Sequence, residues 1–417
     1  ELGVHLPKTN FGTIVQILYY RAWLAVRRRA SDRDVVVPGS TADFTVRVLH
    51  NFGVAISPFD ALALILVTLR GIRLVPRAAS SELLSAVYIA LGWLRAMSGK
   101  ASAALFDKSH MYASQTGNPT TLANVDFSRG SALLMNFEAE ASKMFLERAQ
   151  HTLQTRSTDQ TWLLRNVRYL LGSVWYLLGE HRRVAEESER WIVEARERND
   201  QLSVALYAGM GFGFIRHLMR DAPDDVHTEF QIAMREAPKD MFTWLHWGEL
   251  FATVNALLYK GGPLADLWFA ARAKEHGRTM LLKLHYGRTT MALYRALAAL
   301  HAYDSRGERQ RLAIIKRVRK LSKHVEKNPS PAMRVYAKLL HAQLHVLRRD
   351  LGKALECARA ALAVAPGYAD YQKRIAQYLV ALLESHDERD PRCESVVQSF
   401  RAQGWRNPHA FLRLLLP

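Results

Sequence analysis

A few short stretches carry residue types that could do chemistry. Gly99-Lys100 has the last two residues of a phosphate-binding loop, in which backbone N–H groups cradle the phosphates and a following Ser or Thr holds magnesium. Here the preceding glycine, Gly92, lies seven residues away instead of five, Ala101 replaces the hydroxyl, and a helical run leads in. Such a loop could neither wrap a triphosphate nor hold its metal. Gly209-x-Gly211-x-Gly213 has the look of a dinucleotide fingerprint, but no strand precedes it and the run around it reads as helix, so close helix packing accounts for it. His341 and His345 are four apart and could share a metal on one helical face, yet no carboxylate or cysteine at ligand spacing joins them. Neither His-Arg-Asp nor Asp-Phe-Gly occurs, so the base and the metal ligand of kinase phosphoryl transfer are missing. No nucleophile elbow accompanies the serines and histidines. The expectation is a chain with no catalytic, cofactor-binding or metal-binding residues of its own.

Charge offers a different chemistry. The formal net charge is +18 and the isoelectric point is near 10, mostly from arginines scattered over nearly all helical segments. Scattered cations solvate a surface, whereas nucleic-acid binding wants them gathered on one face. The best gathering is Lys316, Lys320, Lys323 and Lys327, at offsets of 4, 7 and 11, which fall on one side of a helix. No aromatic residue accompanies them, which argues against stacking on single-stranded bases. Trp162, Trp175, Trp191, Trp244, Trp247 and Trp268 could anchor a partner, but at their spacing they fill the space between stacked helices, Trp175 and Trp247 above all.

The elements that would position these residues are helices. Apolar residues recur at offsets of three and four, as in Leu163, Val167, Leu170, Val174 and Leu177, and Val35-Val36-Val37 is cut off by Pro38. Glycines fall at 92, 130, 172, 211, 248 and 287, a period of about 39 residues. Each interrupts a helical run at a cost of roughly 1 kcal/mol relative to alanine. Six in register imply that a second helix crosses close to each, so Gly92, Gly130, Gly172, Gly211, Gly248 and Gly287 are repeat-packing positions. Breakers such as Gly117-Asn118-Pro119, Ala237-Pro238, Asn328-Pro329 and Ala365-Pro366-Gly367 divide the runs into pairs. First helices are expected near 82–97, 121–136, 160–178, 200–219, 241–259, 282–303, 331–348 and 369–384. Their partners are expected near 101–114, 138–154, 182–198, 224–236, 264–276, 308–325, 353–364 and 392–402. The expected fold class is all-α, a solenoid of antiparallel helix pairs. Residues 1–80 form divergent N-terminal repeats with helices near 11–30, 41–54 and 58–73, residues 81–390 the regular repeats, and residues 391–417 C-terminal capping helices.

Hydrophobic content of 49% is enough for a continuous core. Cys357 and Cys393 give neither a disulfide framework nor a metal-ligand spacing, so a reducing cytoplasm is expected. The longest apolar run, Ala61 to Leu69 with Thr68 inside it, is nine residues, too short to cross a bilayer, and no signal peptide is read. The opening Glu1 to Pro7 reads as the end of a connection, and the chain as the C-terminal piece of something longer.

Trp244-x-x-Trp247-Gly248-x-x-Phe251 resembles the first helix of a tetratricopeptide repeat. Tyr88-x-x-Leu91-Gly92 and Leu171-Gly172-x-x-Trp175 match the same stretch, and Ala354, Ala358, Ala361 and Pro366 resemble the second helix and its closing proline. The period departs from the usual 34 residues of that repeat. More broadly, the chain is similar to the C-terminal helical region of large bacterial serine/threonine protein kinases that also carry an AAA-type signalling ATPase module. Leu2-Gly3-Val4-x-Leu6-Pro7, the arginine-rich helix after it, Ser57-Pro58-Phe59-Asp60 and the closing Gln403-Gly404-Trp405-Arg406-Asn407-Pro408 carry that similarity.

The resemblance implies a groove lined by first helices, with a partner-facing stripe placed by each small residue. Gly172 points to Tyr169, Ser173 and Tyr176, with Asn166 a turn earlier; Gly211 points to Phe212 and Ile215 with Arg216 adjacent; Gly248 points to Glu249 and Gly287 to Arg288. Asn166, Tyr169, Tyr176, Arg216, Glu249 and Arg288 are therefore the expected partner-binding residues, unless the repeats stack too tightly to leave a groove open. The implied partners are a protein or peptide and the upstream ATPase and kinase domains, with no membrane. Nucleic acid held by the basic surface is the alternative.

Overall fold

The computed structural model describes residues 9–27, 61–74, 80–157, 161–235, 243–276, 284–367 and 370–416, with Pro7 and a few isolated positions between 44 and 49. Among the described residues every regular element is an α-helix and no strand occurs. In chain order they are α1 (Asn10–Arg27), α2 (Ala61–Leu74), α3 (Ser81–Met97), α4 (Ala103–Thr116), α5 (Pro119–Met135), α6 (Ala139–Arg156) and α7 (Thr161–Leu178). Then come α8 (His181–Glu197), α9 (Gln201–Ala208), α10 (Ile215–Met219), α11 (Pro223–Ala233), α12 (Trp244–Lys260), α13 (Leu264–His276) and α14 (His285–His301). The last are α15 (Glu308–Glu326), α16 (Pro331–Leu347), α17 (Leu351–Val364), α18 (Asp370–Ser385), α19 (Pro391–Ala402) and α20 (Pro408–Leu415). The expected helix near 41–54 falls mostly outside the described residues.

Local chemistry sets the helix ends. Asp200, Asp350, Asp390 and Asn407 each accept a hydrogen bond from a backbone N–H of the turn that follows, satisfying one of the donors a helix start leaves open. Pro223, Pro331, Pro391 and Pro408 occupy first-turn positions, where the missing N–H costs nothing. Gly99, with φ 72°, closes α3. The Gly-Lys pair there is a helix stop, and its N–H donates to Ala96 O at 2.8 Å.

The contacts divide the chain into two compact units, one of Glu1–Met135, Met144–Val167 and Asp240–Trp244, the other of Asn136–Lys143, Arg168–Lys239 and Leu245–Pro417. In the first, α1 packs on α2, and α3 packs on both α4 and α5. Small residues let α3 and α4 approach: Ser85 and Ser109 share a hydrogen bond at 3.0 Å, and a Cβ at Gly92 would sit 2.7 Å from the Phe106 ring. Ala96, Phe106 and Ala132 form the core there, with Trp93 against it. Ion pairs at the surface, Arg129–Asp107 at 2.6 Å and Arg148–Asp126, join successive helices of this unit.

In the second unit, neighbours in sequence are again neighbours in space: α8 with α9 and α10, α13 with α14, α14 with α15, α15 with α16, α16 with α17, α17 with α18, and α18 with α19. The α14–α16 and α16–α18 contacts add a link between alternate helices. The core holds Trp175, Trp191, Trp247 and Trp405, each at most 2% exposed, so the Trp175, Trp191 and Trp247 rings are packing residues and not surface anchors.

The expected helix over 200–219 is broken. Gly209 to Phe214 form an irregular turn between α9 and α10, so Gly211 does not interrupt a helix. The reason is a close approach of three backbones. A Cβ at Gly172 would overlap the Gly211 carbonyl group, and one at Gly209 would lie 2.9 Å from Gly248 Cα. One at Gly248 would lie 2.9 Å from Met210 N. Ser173 Oγ donates to Met210 O at 2.5 Å, tying α7 to the turn. The turn satisfies its own backbone through long-loop bonds, Gly213 N to Tyr207 O at 3.0 Å and Phe214 N to Ala208 O at 2.8 Å. Phe212 pays in strain: its φ of 56° is a left-handed conformation that a bulky side chain rarely adopts. Gly130 and Gly287 are buried within α5 and α14.

Three alanine substitutions separate backbone contact from side-chain contact. Gly172→Ala, which meets backbone, should lower unfolding free energy by about 3 kcal/mol or more. Gly92→Ala meets a ring that can turn aside and regains helix propensity, so its loss should be about 1 kcal/mol or less. Gly352, with open space around its Cβ, should gain up to about 1 kcal/mol as alanine. Urea denaturation of the three variants checks the order.

Candidate interaction site

Four of the six expected groove residues surround the Gly209–Phe214 turn, but they are not one open surface. Tyr176 is 6% exposed, with its ring stacked on Phe212 at a centroid distance of 4.2 Å. Arg216 is 4% exposed. It donates to Gly213 O at 2.7 Å, pairs with Glu229, and reaches Glu189 at 2.9 Å. Tyr169 is half-buried, with its Cα 3.4 Å from where a Gly211 Cβ would stand. Glu249, beside Gly248, is also half-buried. Asn166 is buried in the other unit's part of α7 and donates its amide to Trp162 O at 2.7 Å. Of the six, only Arg288 is exposed. The expectation that Asn166, Tyr176 and Arg216 face a partner is thus corrected: each is a buried group satisfied within the chain.

The Arg216 site obeys the rule that a buried charge needs a partner. Burial alone would raise the Glu229 carboxyl; hydrogen bonding from His217, at 3.2 Å, and the charge and hydrogen bond of Arg216 overrule it and hold it at about 2. Arg196 Nη2 also reaches Glu229 Oε1 at 3.2 Å.

Tyr176 belongs to a cluster of buried hydroxyls. Its Oη lies 3.5 Å from Asn255 Oδ1, and Asn255 Nδ2 donates to Tyr294 Oη at 3.0 Å. Tyr336 and Tyr371 bond to each other, and Gln372 Nε2 is 3.4 Å from both. Burial pushes the Tyr176, Tyr294 and Tyr371 hydroxyls above the ordinary phenol range, so they remain neutral donors. A cavity of about 30 Å³, room for roughly one water, lies between Tyr176, Phe251, Tyr294 and Tyr336. Its walls come from α7, α12, α14 and α16, and Leu414 and Leu415 of α20 also line it.

That closing helix was expected only as a cap within residues 391–417; its reach to α14 and α16 is the part sequence reasoning missed. α20 buries Pro408, Ala410, Phe411, Leu412, Leu414 and Leu415. Gln343 Nε2 of α16 donates to Leu415 O at 2.8 Å, and His301 Nε2 lies 3.5 Å from Leu414 O. The lead-in is held too: Arg406 N donates to Met219 O at 2.9 Å, and Asn407 Nδ2 lies 3.3 Å from Asp221. The tail therefore does more than cap the last pair; it reaches back to side chains of α14 and α16. The segment Phe411 to Leu416, apolar but for Arg413, after an Asn-Pro start was the available signal.

His181, at the start of α8, sits in a ring of aromatics beside this tail: Tyr176 at 5.4 Å, Tyr371 at 5.1 Å, Trp405 at 5.6 Å and Phe411 at 5.2 Å. It is 1% exposed, and neither ring nitrogen makes a regular hydrogen bond. Burial lowers its pKa to about 3, and the Tyr176 carbonyl, poorly placed to accept, opposes the shift without undoing it. Burial likewise lowers His301 to about 4, against the pull of the Leu414 carbonyl.

His341 and His345 turn to separate carboxylates, Glu326 at 3.8 Å and Asp350 at 3.7 Å. Among the described residues no group of three or more His, Cys, Asp and Glu side chains could hold a metal ion, and no helix is long and apolar enough to cross a membrane. Lys316, Lys320, Lys323 and Lys327 are all exposed along α15 and its C-cap. No protein-family description and no curated protein matches the chain.

Two predictions follow from the buried charges. Arg216→Ala removes the most buried partner of Glu229, leaving it Arg196 and His217, and should cost about 1.5–3 kcal/mol of stability, measured by denaturation. His181 is neutral when folded and takes up a proton near pH 6.5 when unfolded. Its contribution to stability is complete above pH 6.5 and is lost as pH falls toward 3. Wild type should therefore lose up to about 1.4 kcal/mol per pH unit relative to His181→Leu between roughly pH 6 and 4. Parallel pH curves for the two proteins would contradict the burial of a neutral imidazole.

Proposed function

We propose that the chain is a protein-interaction and regulatory region built from tetratricopeptide-like helix pairs. In this reading it is the cytoplasmic C-terminal part of a bacterial serine/threonine kinase that carries an AAA-type ATPase module. The pairwise packing of successive helices and the small residues at their crossings support a repeat architecture. The repeat-signature residues Trp247-Gly248 and Leu171-Gly172 lie in α12 and α7, at the glycine contacts.

One observation carries the interaction role. Helices α14 and α16 already hold a short apolar helix, α20, through side-chain bonds to its terminal carbonyls, with Leu414 and Leu415 buried beside residues of both helices. This is the chemistry of helix-in-groove recognition, with the ligand supplied by the same chain. A partner segment of the same kind, apolar and helical, would exchange with the tail. Exchange gives the two states that coupling to an upstream ATPase or kinase needs, because a ligand shifts an equilibrium only through different affinity for its states.

The test uses the full chain. Leu414→Asp with Leu415→Asp should release the tail while leaving helicity intact. A labelled peptide of residues 404–417 should then bind the variant saturably and the wild type weakly. A folded variant with its tail released that takes up no peptide would reject the reading.

A further inference from the structure

We infer that the exposed face of α15 is a docking row for the phosphate backbone of a nucleic-acid duplex. This surface is separate from the α20 pocket and goes beyond the protein-interaction reading.

The row is longer than the four lysines of the sequence pattern. At 100° per residue, Arg309, Lys316, Arg319, Lys320, Lys323 and Lys327 all fall within about 60° of one line along the helix. All six are exposed, and among the described residues none makes an ion pair. From the first to the last the row runs about 27 Å, at 1.5 Å per residue. The neighbouring cations are spoken for: Arg317 pairs with Asp266 at 2.7 Å, and Arg311 donates to Tyr303 O at 3.2 Å. The two acids of the helix, Glu308 and Glu326, lie about 80° off the line. Glu326 is drawn away to Lys338 on α16 at 2.9 Å.

The structure extends the row across to α14. Arg288 is exposed on that helix. Burial lowers His324, and after burial its electrostatic neighbours are Arg288 and Lys327. His285, bonded to Asn328 at 3.0 Å, is lowered by burial and then by Arg288 and His324. Among the described residues no carboxylate acts on either imidazole, and the acid at this end, Glu326, which also feels Lys323, is hydrogen-bonded to Lys338.

The occupant follows from what the face offers. Duplex DNA carries a charge about every 1.7 Å and needs a long, uniform cationic track, with no matched sequence. α15 contains no aromatic residue, so it provides no stacking platform for single strands. Leu312 is the one large apolar side chain on the face, which leaves an acidic peptide little to anchor on. The chain's charge of +18 adds a long-range field of the same sign.

The test is a salt titration with a fluorescent 20-base-pair DNA duplex and the full chain. With about five phosphates contacted, log affinity should fall against log salt with a slope near −4 to −5. Lys316→Gln, Lys320→Gln and Lys323→Gln together should weaken binding by at least tenfold at low salt and reduce the slope by about 3. Arg348→Gln, Lys373→Gln and Arg389→Gln, three exposed cations elsewhere, should leave both nearly unchanged. Circular dichroism checks that each variant stays folded. Equal binding by the two triple variants, no duplex binding at low salt, or tighter binding of a polyglutamate peptide than of the duplex would overturn the inference.

Discussion

Backbone meeting backbone is the constraint on which the second unit depends. Where Gly172 faces the Gly211 carbonyl, and Gly209 and Met210 face Gly248, there is no room for a single methyl group. The dispersion gained at such contact is individually small and collectively large, and it falls off steeply with any gap. The rest of the local structure is arranged to permit that approach. The chain breaks its helix at Gly209, holds Phe212 in a strained conformation and redirects the N–H groups of Gly211, Gly213 and Phe214 to carbonyls of α9. Phe212 is then free to stack on Tyr176, and Arg216 is carried into the interior, where only Glu229 and Glu189 make its charge tolerable.

The same economy governs the aromatic interior. Hydroxyls of Tyr176, Tyr294, Tyr336 and Tyr371 are buried but bonded to one another or to Asn255 and Gln372. Desolvation keeps them neutral and keeps His181 neutral, so the region where α20 docks holds polar groups but little charge. An apolar helix with free terminal carbonyls suits such a surface, while the cations remain outside on α15.

Much of the fold was legible in sequence because its signals are local. The expected helices 331–348 and 264–276 correspond to Pro331–Leu347 and Leu264–His276, since a proline or a glycine pair fixes each start within a residue or two. The glycine spacing was legible as close approach, but at 209–213 the apolar residues between the glycines imitated a helix. Whether Gly-x-Gly-x-Gly bends there depends on the α7 and α12 backbones, which lie far off in sequence. The groove residues failed for a similar reason. Arg216 and Tyr176 were placed by the resemblance to a tetratricopeptide groove, which tells a face but not what covers it. Their covers, Glu229, Phe212 and the returning tail, are tertiary. Lys316, Lys320, Lys323 and Lys327 were read correctly as one face, because nothing beyond a single helix is needed to align them.

The glycine contacts admit a direct observation in solution. With 23 glycines in the chain, protein labelled only at glycine and otherwise deuterated gives few α-proton signals, which single substitutions assign. Proton–proton cross-relaxation should link Gly172 to Gly211 and Gly209 to Gly248, since their facing Cα atoms are close enough to exclude a Cβ. Absence of both cross-peaks in folded protein, with that of the sequential pair Gly261 and Gly262 visible, would contradict the close approach from which the rest of the unit is built.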